Sequence, residues 1–187
     1  MSCRAFFEAL LDGQDVGARE RLIDAAHPDA CCEAESVSEH SKRPVAAEEF
    51  LFRLVFTPIH EKCGKVLPVA FNDVEGKGLS CQRGPSIPPD QAVHGHGVAL
   101  VQKYNAEHPE NPPEKIRSYV GVVLARCDAV RAILNEAGRR AFAVYDTALP
   151  QNPAHVDVFH CGSLPPSKKK QLRKRLRDTF TPGLMKP

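Results

Sequence analysis

The chain has no apolar run approaching the ~20 residues that cross a bilayer, so no membrane span is expected. Its N-terminus, MSCRAFFEALLDG, reaches Glu8 and Asp12 too early to be the apolar stretch of a secretory signal, and a cytoplasmic location is the resulting expectation. Metal-ligand spacings are missing too. There is no C-x-x-C and no H-x-x-x-H pair, Cys31 and Cys32 are adjacent rather than offset, and His155 and His160 fall on opposite faces of any strand. No metal site is expected. GKGLS at 76–80 follows a polar turn and lacks the spacing of a phosphate-binding loop, and no internal repeat is visible. His160 and Cys161 are not a base–nucleophile pair by adjacency, because neighbours on a strand face apart. The seven cysteines are odd in number and scattered, which predicts reduced, mostly buried thiols rather than a disulfide framework.

What is present is an ordinary folding composition with uneven charge. The 187 residues are 42% hydrophobic and 26% charged, enough for one domain with a real core. The net charge is only +2, yet residues 1–50 hold eleven acids against five bases, while residues 168–180 hold seven bases against one acid. Two partners for the cationic end follow: an external polyanion, or the chain's own acidic N-terminal segment.

Phe6, Phe7, Leu10 and Leu11 recur at helical spacing, and a second helix over about 16–26, capped by Asp15, would complete an acidic hairpin. CCEAESVSEHSKRP (31–44) has no periodicity and reads as a linker or exposed loop. EFLFRLVFT alternates with apolar residues on both faces, as in a central strand. Further strands are expected over 65–71, where Pro68 weakens the pattern, and over 79–82, 116–125, 141–146 and 155–160. Helices are expected from Asp90 to Asn105, weakened by Gly95 and Gly97, and over 128–137 behind an Asp128 cap. The fold class is thus α+β: a mixed sheet of five or six strands with packed helices. An acidic helical hairpin and linker (1–44) precedes the core (45–164), and a basic helix and tail (165–187) follow it.

In that tail, Ser167 can cap a helix whose Leu172, Leu176 and Phe180 form one apolar stripe, presenting Lys168, Lys169, Lys170, Arg173, Lys174, Arg175 and Arg177. Three lysines in its first turn oppose the helix dipole by roughly a few tenths of a kcal/mol each, which an anion would relieve. The leading expectation is a non-enzymatic interaction module whose basic helix contacts an anionic partner, nucleic acid first. A protein-binding subunit is an alternative. No aromatics interleave the cations, which argues against single-strand base stacking.

Arg53, central in an apolar strand, requires a carboxylate, a carbonyl or a ligand, because a buried unpaired charge costs several kcal/mol. With AFNDVEGKGLS behind it and Ser80 on a later strand, the layout resembles that of ADP-ribosyltransferase-like folds. The resemblance covers about residues 49–160 and implies that Arg53 and Ser80 hold a nicotinamide dinucleotide (NAD), with an acidic residue completing the site. Asp157 is the carboxylate within a late strand.

Overall fold

The computed structural model describes residues 3–12, 30–41, 43–162, 164–180 and 183–187. Its centre is β1 (Phe50–Thr57), whose aromatic and β-branched residues suit a strand buried on both faces. β1 pairs antiparallel with β4 (Leu79–Gly84) on one side and β5 (Ser118–Arg126) on the other. β7 (His155–His160) lies beside β4, and β6 (Phe142–Tyr145) closes that end, giving the order β5-β1-β4-β7-β6. The five-stranded α+β architecture is as expected. Its pairings are all antiparallel, more regular than the mixed sheet inferred from the interspersed elements. A two-stranded ribbon, β2 (Glu61–Lys62) with β3 (Lys65–Val66), follows β1.

The strand expected over 65–71 is replaced. After β3 the chain enters a 3-10 helix, Pro68–Glu75, because Pro68 at the first turn carries a preset φ and lacks a donor the turn would leave unpaired. Its Ala70, Phe71 and Val74 turn inward onto the sheet. α2 (Gln91–Glu107) begins where Asp90 accepts a hydrogen bond from Ala92 N, and covers β5 and β1 on the opposite face. Gly97 within α2 has a packing reason: a Cβ there would lie 2.4 Å from the Tyr119 ring, so the glycine lets helix and strand approach. The helix expected over 128–137 shortens to α3 (Cys127–Arg131), after which Asn135 organises a turn and Leu134 bridges to Arg140.

α1 (Cys3–Asp12) is the first arm of the expected hairpin; the second arm lies outside the described residues. Residues 30–41 are not an exposed linker. Glu33, Val37 and Ser38 are buried against β6 and the loop after it. Glu33 pairs with Arg131 (3.1 Å) and Arg140 and accepts from Val144 N. A second correction concerns the cysteines: Cys3 and Cys32 are joined in a disulfide, their Cα atoms 5.6 Å apart. Folding of α1 over the β6–β7 end brings together two residues 29 positions apart, which spacing alone does not reveal.

α4 (Pro166–Thr179) is the basic helix, and its stripe docks as expected, with Leu172, Leu176 and Phe180 buried against the 3-10 helix. The edge of Phe180 meets Phe71 at 5.3 Å between centroids. Ser167 is not its cap. Pro165 takes that position and Pro166 the first helical one, with Lys168 N bonded to the Pro165 carbonyl (2.9 Å). Because Leu176 is fully buried, Leu176→Ala is expected to cost about 2–5 kcal/mol by equilibrium urea unfolding; a loss within error would show that α4 is an appendage rather than part of the core.

Candidate functional site

Alternation along β7 sends Val156, Val158 and His160 to the face covered by α4 and the 3-10 helix, and His155, Asp157 and Phe159 to the other face. On that second face Ser80 of β4 stands directly opposite Asp157, in register. The two are 2.9 Å apart, Ser80 Oγ donating to Asp157 Oδ1. Thr147, buried in the loop after β6, donates to Asp157 Oδ2 (2.9 Å). His155 Nδ1 lies 3.0 Å from both the hydroxyl and the carbonyl oxygen of Thr147, and 3.9 Å from Asp157 Oδ2. A carbonyl oxygen only accepts, so Nδ1 carries the proton and Nε2 is left as the ring's acceptor.

These groups line a cavity of about 250 Å³. Asp73 and Lys77, 3.3 Å apart, stand at its rim, and Phe7 of α1 forms a wall through contacts with Tyr145 (4.7 Å) and Phe159 (5.9 Å). Gly78 permits this floor: its φ is +85°, and a Cβ would meet the Phe159 ring at 2.6 Å. Behind His155, Asn152 Nδ2 reaches His96 Nε2 at 3.1 Å; burial and the neighbouring His155 lower the His96 pKa.

Of the residues the sequence singled out, Ser80 and Asp157 meet in this cavity and Arg53 does not. Arg53 lies on the other face with every donor group engaged: Nε to Ala70 O (2.8 Å), Nη1 to Ser80 O (2.9 Å) and Nη2 to Asp73 Oδ2 (3.1 Å). It ties the 3-10 helix and β4 to β1, and is not among the residues that line the cavity. His155, Thr147, Asp73 and Lys77 were not foreseen. A signal for His155 exists in HVD, since positions two apart share a strand face and so place it beside Asp157; Thr147 gives none, because only loop closure brings it in.

The cationic surface is partly spent on docking. Lys168 pairs with Glu136, Arg173 with Glu75 (2.8 Å) and Asn72, Arg175 with the Leu134 carbonyl, and Arg177 with Asp178 (2.7 Å). The Lys169 charge reaches His160. Lys170 and Lys174 are exposed, with no ion-pair or hydrogen-bond partner among the described residues. Burial pushes the thiols of Cys81 and Cys127 up to about 12, so neither is an available thiolate.

No protein-family model matches the chain, and neither a curated protein nor a solved structure shows significant similarity to it.

Two predictions follow from buried charge. Arg53→Ala removes a donor from two carbonyls and one of the two cations that Asp73 pairs with, and is expected to cost on the order of 2–4 kcal/mol in chemical denaturation, whereas a residue reserved for ligand would be removed at little cost. His60 and His160 have pKa values lowered to about 4, by burial first and then by Arg53 and Lys169 respectively. Their folded values lie below the ordinary 6.5, so the unfolded chain binds more protons between the two, and the stability they contribute above pH 6.5 is lost as pH falls towards 4. Among the described residues neither ring nitrogen of His160 has a hydrogen-bond partner. His160→Phe is therefore expected to retain stability at pH 7 and to flatten the loss between pH 6.5 and 4.5; an unchanged slope in urea midpoints would contradict this.

Proposed function

We propose that the protein is a small enzyme that binds a small polar ligand over β4 and β7 and uses His155 as its acid–base group. The observation that carries this reading is the continuous chain Ser80–Asp157–Thr147–His155, built from two strands and a loop and opening on one cavity. Buried hydrogen-bonded carboxylates beside an imidazole of fixed tautomer are the arrangement that general-base catalysis requires. With Nδ1–H held by the Thr147 carbonyl, Nε2 receives a proton from a water or hydroxyl nucleophile. The Asp157 carboxylate, 3.9 Å away, then faces the imidazolium that forms. Ser80 orients the ligand, and Lys77 offers a cation to an oxygen that gains charge.

The ADP-ribosyltransferase-like alternative, with Arg53, Ser80 and Asp157 holding NAD, draws less support. Arg53 is engaged internally, and a cavity of about 250 Å³ is smaller than the roughly 300–1,000 Å³ of clefts that take drug-sized ligands, well short of a dinucleotide.

The test is a panel of small polar metabolites screened by ligand-observed NMR and for turnover. His155→Ala is expected to keep ligand binding and lose about 10²–10⁴-fold in rate, and Asp157→Asn to weaken both. Binding that survives unchanged in Asp157→Asn, or turnover indifferent to His155→Ala, would refute the assignment.

A further inference from the structure

A second concave surface lies on the flank of α4, between that helix and the turn at 134–140, and encloses about 440 Å³. Its floor is apolar, with Leu164, Leu172 and Ala137 facing the space. Its rim is cationic: Arg139 and Lys174 are exposed and have no ion-pair partner among the described residues, and Arg175 stands beside them. The single carboxylate on the rim, Glu136, is neutralised by Lys168.

The groove is built in advance. Asn135 N donates to Arg139 O (2.7 Å), and Asn135 Oδ1 accepts from both Ala137 N and Arg139 N (3.0 Å each). The bridge between Leu134 and Arg140 anchors the turn, and Arg140 is itself tied to Glu33. At either end, Lys168–Glu136 and Arg175 to the Leu134 carbonyl join helix and turn across the gap. A walled groove needs little reorganisation on binding, which leaves more of the contact energy as affinity. Leu134, 44% exposed, extends the apolar surface at the edge.

We infer that this groove docks an acidic amphipathic helix of a partner protein. From Lys168 to Arg175 the groove runs about 10 Å at the ~1.5 Å rise per helical residue, which accommodates roughly two turns of a partner helix. One or two apolar side chains at i and i+4 cover Leu164 and Ala137 above the buried Leu172, and flanking carboxylates meet Arg139, Lys174 and Arg175. Nucleic acid would satisfy the cations but leave the apolar floor exposed, which is why charge complementarity together with that floor favours a peptide. The inference is independent of the cleft over β4 and β7, which lies on the other side of the sheet.

The test uses three fluorescein-labelled probes in anisotropy titrations at 50 and 200 mM salt: a synthetic helical peptide with leucine at i and i+4 amid glutamates, the same peptide with serine for leucine, and a DNA oligonucleotide of equal charge. The leucine peptide is expected to bind at least tenfold more tightly than the other two. That binding is expected to disappear in the surface double variant Arg139→Glu/Lys174→Glu. Ala137→Trp, which fills the groove without altering charge, should abolish it as well, with circular dichroism confirming the fold of each variant. The inference is overturned if leucine and serine peptides bind alike, if DNA binds as tightly as the leucine peptide, if Ala137→Trp leaves peptide binding intact, or if no probe binds.

Discussion

Arg53 holds together the parts that matter. A guanidinium in an apolar strand is tolerable only when its donors are met, and here they are met by the 3-10 helix on one side and β4 on the other. The 3-10 helix so fixed carries Phe71 and Val74, on which α4 rests, and Asp73, which stands at the rim of the cleft. The β4 carbonyl it holds belongs to Ser80, whose hydroxyl begins the chain to His155. The docked helix and the candidate catalytic groups, on opposite faces of the sheet, therefore depend on the same buried charge. Its fork of donors satisfies two carbonyls and a carboxylate at once, which a lysine ammonium could not reproduce in that geometry.

The segregation of charge between the ends of the chain is real, but much of it is answered locally. Glu33 is met by Arg131 and Arg140, Glu49 by Arg43, and the cations of α4 by Glu75, Glu136 and nearby carbonyl groups. Core residues thus stand between the acidic and basic segments. A net tally by segment cannot see this, because the sign of a patch depends on which neighbours the fold supplies. Among the described residues of α4 the exposed cations without a partner, Lys170 and Lys174, are fewer than the sequence suggests, and Lys174 with Arg139 of the neighbouring turn borders an apolar groove rather than a uniform basic face.

What could be read from the sequence follows from how local each signal is. β1, β5, β6 and β7 were visible because apolar patterning is a property of a few consecutive residues, β4 because it follows the polar turn NDVEGKG, and the stripe on α4 because i, i+4 spacing is equally local. VLPVAF looked like a strand, yet Pro68 starts a helical turn there and the Arg53 hydrogen bonds hold it, which no short window contains. The buried-charge argument correctly demanded a partner for Arg53 but could not choose between a ligand and Asp73. Ser80 and Asp157 were each visible on a strand; that they stand side by side is a matter of register between β4 and β7. Thr147 and the Cys3–Cys32 pairing arise from chain closure over long separations, beyond what periodicity records.

Each outer strand of the sheet has one position of its free edge occupied. Along β5, Met185 returns to exchange hydrogen bonds with Val122 (2.9 and 2.8 Å), and along β6 the carboxylate of Glu33 accepts the amide of Val144. An open rim of unpaired amides would invite other chains to zip on as additional strands, and such growth is the usual route to ordered aggregates. With those two positions stoppered by the chain's own C-terminal residues and by an acidic side chain, backbone templating is discouraged at either margin. Pairing of a further strand at Val122 or Val144 would first have to displace these bonds.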